Sequence, residues 1–277
     1  MTKTGKLAAS VATSFAIFVA AFAAAVCGVA LASGGADIRM EPAQINRLDL
    51  ASKQRGARTF VNYCLNCHTA KYMRYNRLTD LGLTDAQIRD NLMFATDKIG
   101  ETMTVAMRPA DAKAWFGVPP PDLTVESRVR GADWLYNYFL AFYKDDTAPS
   151  GWNNLIFPNV AMPHVLEHLS GTNRLVTKQY KDHDEAQAAA LAAKGIVVLG
   201  PGKDHTYVVQ TIVQDTPGEL GPVEYQRLVA DLVNFLDYMG EPAKNQRTRL
   251  GLVVLLYLGV LFFLAYWMKR EYWKDVH

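Results

Sequence analysis

The chain has 277 residues, half of them apolar, and its 29 basic and 27 acidic side chains leave a formal net charge of +2. That balance excludes a polyanion partner recruited by bulk charge, so no nucleic acid is expected and function has to be read from local sites. Only three cysteines occur, and Cys27 lies in the N-terminal apolar run, which excludes a disulfide framework.

In chain order, Lys3 and Lys6 precede a long Ala/Phe/Val stretch from Leu7 to Ala32 that closes with Ala30-Leu31-Ala32. Residues 1–32 are read as a secretory signal cleaved after Ala32. An uncleaved anchor is the alternative, because the run exceeds the usual apolar region of about 7 to 15 residues. The body follows as residues 33–246. Its first helical pattern runs from Ala43 to Tyr63, with Gly56 and Phe60 one turn apart, and it delivers Cys64 at its end. A second helix is expected from Thr84, where Thr84-Asp-Ala-Gln87 fits a capping box, through Leu92 and Met93. Val118 to Leu123 contains consecutive prolines, which lack an amide hydrogen and fix φ, so it is a rigid extended segment.

Asp133 to Tyr143 reads as an aromatic-rich helix, and Thr147 to Pro163 as a long loop punctuated by Pro149, Gly151, Pro158 and Pro163. Loops of that length in ordered domains are often functional. Ala186 to Ala193 suggests a surface helix. The β-branched runs Ile196–Leu199 and Tyr207–Val213 around Gly200-Pro-Gly-Lys-Asp204 suggest a hairpin. Pro222 opens a last body helix, with Leu228, Leu232, Phe235, Leu236 and Met239 at helical spacing and Gly240 and Pro242 ending it.

Leu250 to Met268 is an uncharged run of 19 residues, close to the roughly 20 that cross a bilayer as a helix. Arg247 and Arg249 precede it; Lys269, Arg270 and Lys274 follow, with Trp267, Tyr272 and Trp273 as interfacial aromatics. Residues 247–277 are therefore expected to form a C-terminal membrane anchor with a cytoplasmic tail. The body then faces the periplasmic side of an inner (cell) membrane, in agreement with the N-terminal signal. The expected class is mainly α, with loop insertions, a small β-hairpin and one C-terminal transmembrane helix.

The chemistry concentrates in Cys64-Leu-Asn-Cys67-His68, the C-x-x-C-H pattern of covalent haem attachment. Two thiols at that spacing add to the two vinyl groups of haem, and the adjacent imidazole coordinates the iron. A thioredoxin-like redox pair is the main alternative, but it normally follows a strand, whereas a helical pattern precedes Cys64. A zinc site needs a further ligand pair, and the sequence has no second C-x-x-C and no His pair close to the cysteines. The body is thus read as a c-type cytochrome domain holding one covalent haem c.

An electron carrier also needs a sixth iron ligand, and methionine raises the potential. Nine methionines compete. Met103, Met107 and Met239 sit in patterns that suit core packing, whereas Met162 lies in the loop Pro158-Asn-Val-Ala-Met162-Pro163-His164, with His164 as a rival ligand. Arg128 and Arg130 are candidate partners for the haem propionates. The acidic groups Asp182, Asp184 and Glu185, or Asp145 with Asp146, are candidates for steering a basic acceptor.

Taken together, Cys64-Leu-Asn-Cys67-His68, Pro119-Pro-Pro-Asp122-Leu123, Asn159-Val-Ala-Met162-Pro163 and Asp231-Leu-Val-Asn-Phe-Leu-Asp-Tyr-Met-Gly-Glu-Pro242 before one C-terminal span resemble bacterial cytochrome c1, the haem subunit of the quinol-cytochrome c oxidoreductase (cytochrome bc1 complex). The resemblance covers nearly the whole chain after the signal. It implies Met162 as the sixth ligand, Pro120 and Pro121 lining the haem pocket, and Arg128 on a propionate. It further implies a cytochrome b subunit, a Rieske iron-sulfur subunit as electron donor, a soluble or membrane-tethered cytochrome c as acceptor, and a dimeric complex. Some members of the family hold the body with a disulfide; here packing has to hold the Met162 loop. The competing readings are a cytochrome subunit of a terminal oxidase or nitric oxide reductase, a thiol-disulfide exchange protein and a haem-based sensor.

Overall fold

The computed structural model describes residues 37–275, so the signal reading of residues 1–32 and Cys27 fall outside the described residues. The elements are β1 (Asp37–Arg39), α1 (Leu50–Thr59), β2 (Ala70–Arg74), α2 (Asp85–Leu92), β3 (Thr102–Met103), α3 (Pro109–Phe116), α4 (Glu126–Arg130), α5 (Ala132–Leu140), β4 (Phe142–Lys144), β5 (Trp152–Asn154), α6 (Glu167–Ser170), β6 (Gly171–Tyr180), α7 (His183–Ala192), β7 (Val197–Pro201), β8 (Tyr207–Pro217), α8 (Pro222–Gly240) and α9 (Lys244–Tyr272). The chain is mainly helical with a small antiparallel sheet and one C-terminal apolar helix.

The core is built on the crossing of α1 and α8. Asp49 caps α1 by accepting from the Ser52 amide at 2.9 Å, so the helix starts at Leu50 and not at Ala43 as its apolar pattern suggests. The preceding stretch is tied elsewhere: the Ala43 amide donates to the Asp133 carboxylate at 2.7 Å and the Glu41 amide to Asn137 Oδ1 at 2.9 Å. Gly56 sits where α1 meets α8, against the backbone of Asp231 and the side chain of Phe235. One turn later Phe60 packs on Phe235, ring centroids 5.6 Å apart. Beside the crossing, Arg55 grips Asp231 through Nε and a terminal nitrogen at 2.6 and 2.9 Å. The buried face of α8, including Leu232, Phe235, Leu236 and Met239, completes this core.

The capping box at Thr84 forms as the sequence indicates: the Gln87 amide donates to Thr84 Oγ1 and the Thr84 amide to Gln87 Oε1. The helix read over 133–143 stops at Leu140, because Phe142–Lys144 leaves it as a strand paired with Trp152–Asn154. The hairpin of β7 and β8 forms, within a four-stranded sheet of order β1-β7-β8-β6. Its longest added strand, β6, escapes the pattern because Thr172-Asn-Arg-Leu-Val-Thr-Lys178 is half-exposed on both sides and shows no clean polar alternation. The Ala-rich segment is a helix, with Ala186 fully buried against the sheet.

At the end of α8 the chain enters α9 through a short polar junction. Asp237 accepts from Arg47 at 3.1 Å and from Lys244 at 3.3 Å, and Glu241 pairs with Arg247 at 2.9 Å. Beyond it α9 runs 29 residues with a mean hydropathy of 2.3 in its most apolar stretch and no buried residue. By length and composition it suits a bilayer crossing.

Candidate haem site

The α1 helix ends in one wide turn, Phe60–Cys64, in which the Leu65 amide reaches back five residues to the Phe60 carbonyl at 3.0 Å. Such a turn rotates the side chains that follow relative to a regular helix. The carbonyl of Cys64 then accepts from both the Cys67 amide at 3.1 Å and the His68 amide at 2.8 Å. This tight loop brings Cys64, Cys67 and His68 onto the wall of one cavity of about 310 Å³.

The imidazole of His68 is oriented by the proline segment: Nδ1 lies 2.8 Å from the Pro121 carbonyl oxygen. A carbonyl only accepts, so Nδ1 carries the proton and Nε2 presents its lone pair, the tautomer a metal-binding histidine needs. Burial lowers the His68 pKa, against opposing contributions from the Pro121 carbonyl, Glu126 and Asp122, which favours the neutral ring.

Asp122, quoted in the sequence motif without a role, holds that arrangement. One carboxylate oxygen accepts from Thr69 Oγ1 at 2.7 Å and the Lys71 amide at 2.8 Å; the other accepts from the Thr124 amide at 3.0 Å and its hydroxyl at 2.5 Å. The Leu123 amide closes the join on the Thr69 carbonyl at 2.8 Å. Desolvation raises the Asp122 pKa, but these hydrogen bonds outweigh it and hold the carboxyl below its ordinary value. The Pro119–Leu123 strap is thus clamped to the residues just after His68.

Pro120, Pro121 and Met162 line the same cavity, together with Trp134, Tyr138 and Phe139 from α5. Among the described methionines Met162 alone lines it; Met103 and Met239 are buried in the core. His164 faces away from the cavity. Its Nε2 lies 2.8 Å from Ser170 Oγ and its ring stacks on Phe142 at 4.8 Å and 2°, and burial, with His168 nearby, lowers its pKa to about 4. It is a core histidine. The Met162 sulfur instead accepts a hydrogen bond from the Tyr138 hydroxyl at 3.4 Å. Burial raises the Tyr138 pKa, so the phenol keeps its proton.

Of the two arginines, Arg130 lines the cavity, its guanidinium 4.8 Å over the Trp134 ring and 5.6 Å from that of Phe157. Arg128 is exposed and outside it, beside Gly240 at the end of α8. Two of the five acidic candidates have local duties: Asp182 caps α7 through the Asp184 and Glu185 amides, and Asp145 accepts from Thr147 and Asn153.

The donor set fits a covalent haem. A vinyl-reactive thiol pair, a neutral imidazole with a free Nε2 and a thioether share one cavity whose walls, apart from Glu126 and Arg130, are otherwise proline, aromatic and aliphatic. It fits thiol exchange poorly, because burial pushes the Cys64 thiol up to about 12, with Cys67 adding to the shift. An attacking cysteine needs the opposite shift.

Comparison with known proteins agrees with this chemistry. A family model described as the Cytochrome C1 family matches residues 42–197 and 220–276. The chain is 47% identical to cytochrome c1 of Allochromatium vinosum, over 89% of this chain and 93% of that one. It is 45% identical to a Nitrosomonas europaea protein described as an ammonia monooxygenase gamma subunit, over 88% of this chain and 92% of that one. Cytochrome c1 of Rhodospirillum rubrum matches at 25% identity, over 83% and 84%. With a family match over most of its length and a cavity whose donor set fits covalent haem, the chain belongs to the cytochrome c1 family, whose members carry one covalently bound haem c.

Proposed function

We propose that this protein relays single electrons from a Rieske iron-sulfur subunit to a soluble or membrane-tethered cytochrome c, within a dimeric quinol-cytochrome c oxidoreductase that also contains a cytochrome b subunit. The observation that carries the reading is the convergence of Cys64, Cys67, His68 and Met162 on one apolar cavity. Haem c supplies reversible one-electron chemistry at its iron. Cys64 and Cys67 would tether it, and His68 Nε2 and the Met162 sulfur would ligate its iron. The proline strap and α5 aromatics exclude water, and an apolar surround with a methionine ligand favours the reduced form. Arg130, on the cavity wall, is better placed than Arg128 to offset a propionate charge.

In this reading residues 1–32 direct export, residues 33–246 form the haem domain on the periplasmic side, and residues 247–277 anchor it in the inner membrane. The span of α9 and its flanking basic residues support that orientation.

The test is spectroscopic. Detergent-solubilised protein is assayed for covalent haem by pyridine haemochrome, and for the near-infrared methionine-to-iron band in wild type and Met162→Leu. Covalent haem with a band lost in the variant is expected. Exported protein without covalent haem would sink the cytochrome reading, and a band surviving in Met162→Leu would move the sixth ligand elsewhere. Purification through an affinity tag distinguishes the assemblies: cytochrome b and Rieske subunits are expected, and a monooxygenase in their place would favour the assignment suggested by the Nitrosomonas name.

A further inference from the structure

Tyr138 touches the Met162 loop at both of its ends. Its hydroxyl lies 3.4 Å from the Met162 sulfur. Its backbone carbonyl accepts from Asn154 Nδ2 at 2.8 Å, and Asn154 Oδ1 in turn accepts from the Ile156 and Phe157 amides at 2.9 and 3.1 Å, at the start of the segment leading to Met162. Asn154 is fully buried. The neighbouring Asn153 Oδ1 accepts from the Asn159 amide at 2.8 Å, where the chain turns with φ of 62°. The Tyr138 ring itself is fixed, stacked on Trp134 at 5.0 Å and 12° and set edge-on to Phe142 at 5.1 Å.

We propose that Tyr138 is a positioning residue for Met162, donating its hydroxyl to the thioether and holding, through Asn154, the loop that carries it. The inference rests on the His68/Met162 ligation proposed above. A thioether sulfur has two lone pairs; one accepts from Tyr138 and the other remains for iron, so the hydrogen bond selects which lone pair faces the metal. Donation into the sulfur withdraws electron density from it, which weakens its support of ferric more than of ferrous iron. The hydroxyl therefore raises the midpoint potential. Sulfur is a weak acceptor, so the effect is less than tenfold in the ferric–ferrous equilibrium, below about 59 mV for one electron.

The experiment compares full-length, haem-loaded protein in detergent as wild type, Tyr138→Phe, and protein carrying 3-fluorotyrosine at position 138, whose more acidic hydroxyl is a stronger donor of nearly equal size. Midpoint potential and the energy of the near-infrared methionine band are read for each. Tyr138→Phe is expected to lower the potential and move the band with haem still attached, and the fluorinated residue to raise the potential. A purely structural role for the ring would leave both readouts unmoved in Tyr138→Phe, and that result would overturn the proposal while leaving the ligation intact. Should Tyr138→Phe not accumulate, the fluorinated protein decides alone, and an unchanged or lower potential refutes the inference. A band retained in Met162→Leu would overturn the ligation and this proposal with it.

Discussion

Replacing Gly56 with alanine sets two effects against each other in one helix. A Cβ built at that position would overlap the carbonyl oxygen of Asp231 and stand 2.7 Å from both the Asp231 carbonyl carbon and Phe235 Cβ. Carbon atoms in contact sit about 3.5–4.0 Å apart, so α1 and α8 would have to separate by roughly 1 Å. None of these neighbours is the free end of a flexible side chain. Separation would also strain the Arg55–Asp231 pair and loosen Phe60 from Phe235. Overpacking of this kind costs about 1–3 kcal/mol, and occasionally more; alanine's better helix propensity returns only about 1 kcal/mol. The overlap with the Asp231 carbonyl oxygen puts the overpacking at the upper end of that range, so the clash should win, for a net loss of about 2 kcal/mol. The assay is chemical denaturation of the solubilised haem protein followed by far-ultraviolet circular dichroism, in which the midpoint should fall at unchanged slope. A midpoint equal to or above wild type would mean that propensity decides and that the helices do not cross backbone to backbone at Gly56.

Two further outcomes follow from the cavity wall. Asp122 has its folded pKa held below 3.8, so its contribution to stability is fully present above the unfolded value near pH 4 and is lost as pH falls through the folded one. Asp122→Asn should be less stable than wild type at pH 7, with the gap in denaturation midpoint closing below about pH 4; a gap constant from pH 7 to pH 3 would refute the hydrogen-bonded carboxylate. Arg130→Gln removes a cation from the cavity wall, which makes gaining an electron less favourable, so redox titration should give a lower midpoint potential. A potential equal to or above wild type would show that Arg130 does not act on the haem.

Much of the fold was legible because its signals are local. The Thr84 capping box, the Pro222 helix start and the Leu250–Met268 run each carry their own start, stop or length signal, and each forms. The failures lie where tertiary contacts overrule the pattern. Apolar spacing from Ala43 onward looks helical, yet Asp133 and Asn137 take the amides of Ala43 and Glu41 across nearly a hundred residues, and Asp49 supplies the cap that starts the helix later. Leu140 ends α5 early because Phe142 pairs with Asn154, a partner no local window contains. The β6 strand forms because β8 pairs along its whole length.

The candidate site divides along the same line. Cys64, Cys67 and His68 are read from spacing alone because the chemistry of attachment is local, and the family resemblance points on to Met162. What orients them comes from far along the chain: Pro121 reaches His68 over 53 residues, and Tyr138 reaches Met162 over 24. A tyrosine in an aromatic-rich helix gives no sign of which phenol faces the cavity, and Tyr136, two residues earlier, is not among the residues lining it. The same holds for Arg128 and Arg130. Both follow the proline strap, and only the backbone of α4 and the left-handed Gly131 after it decide that the second one stacks on Trp134. The expectation that packing holds the Met162 loop is met more specifically than packing alone, by the side-chain amides of Asn153 and Asn154 on loop backbone. An asparagine pair reads in sequence as turn chemistry; what the sequence does not show is that the buried Asn154 also reaches the Tyr138 carbonyl, which ties that turn to α5.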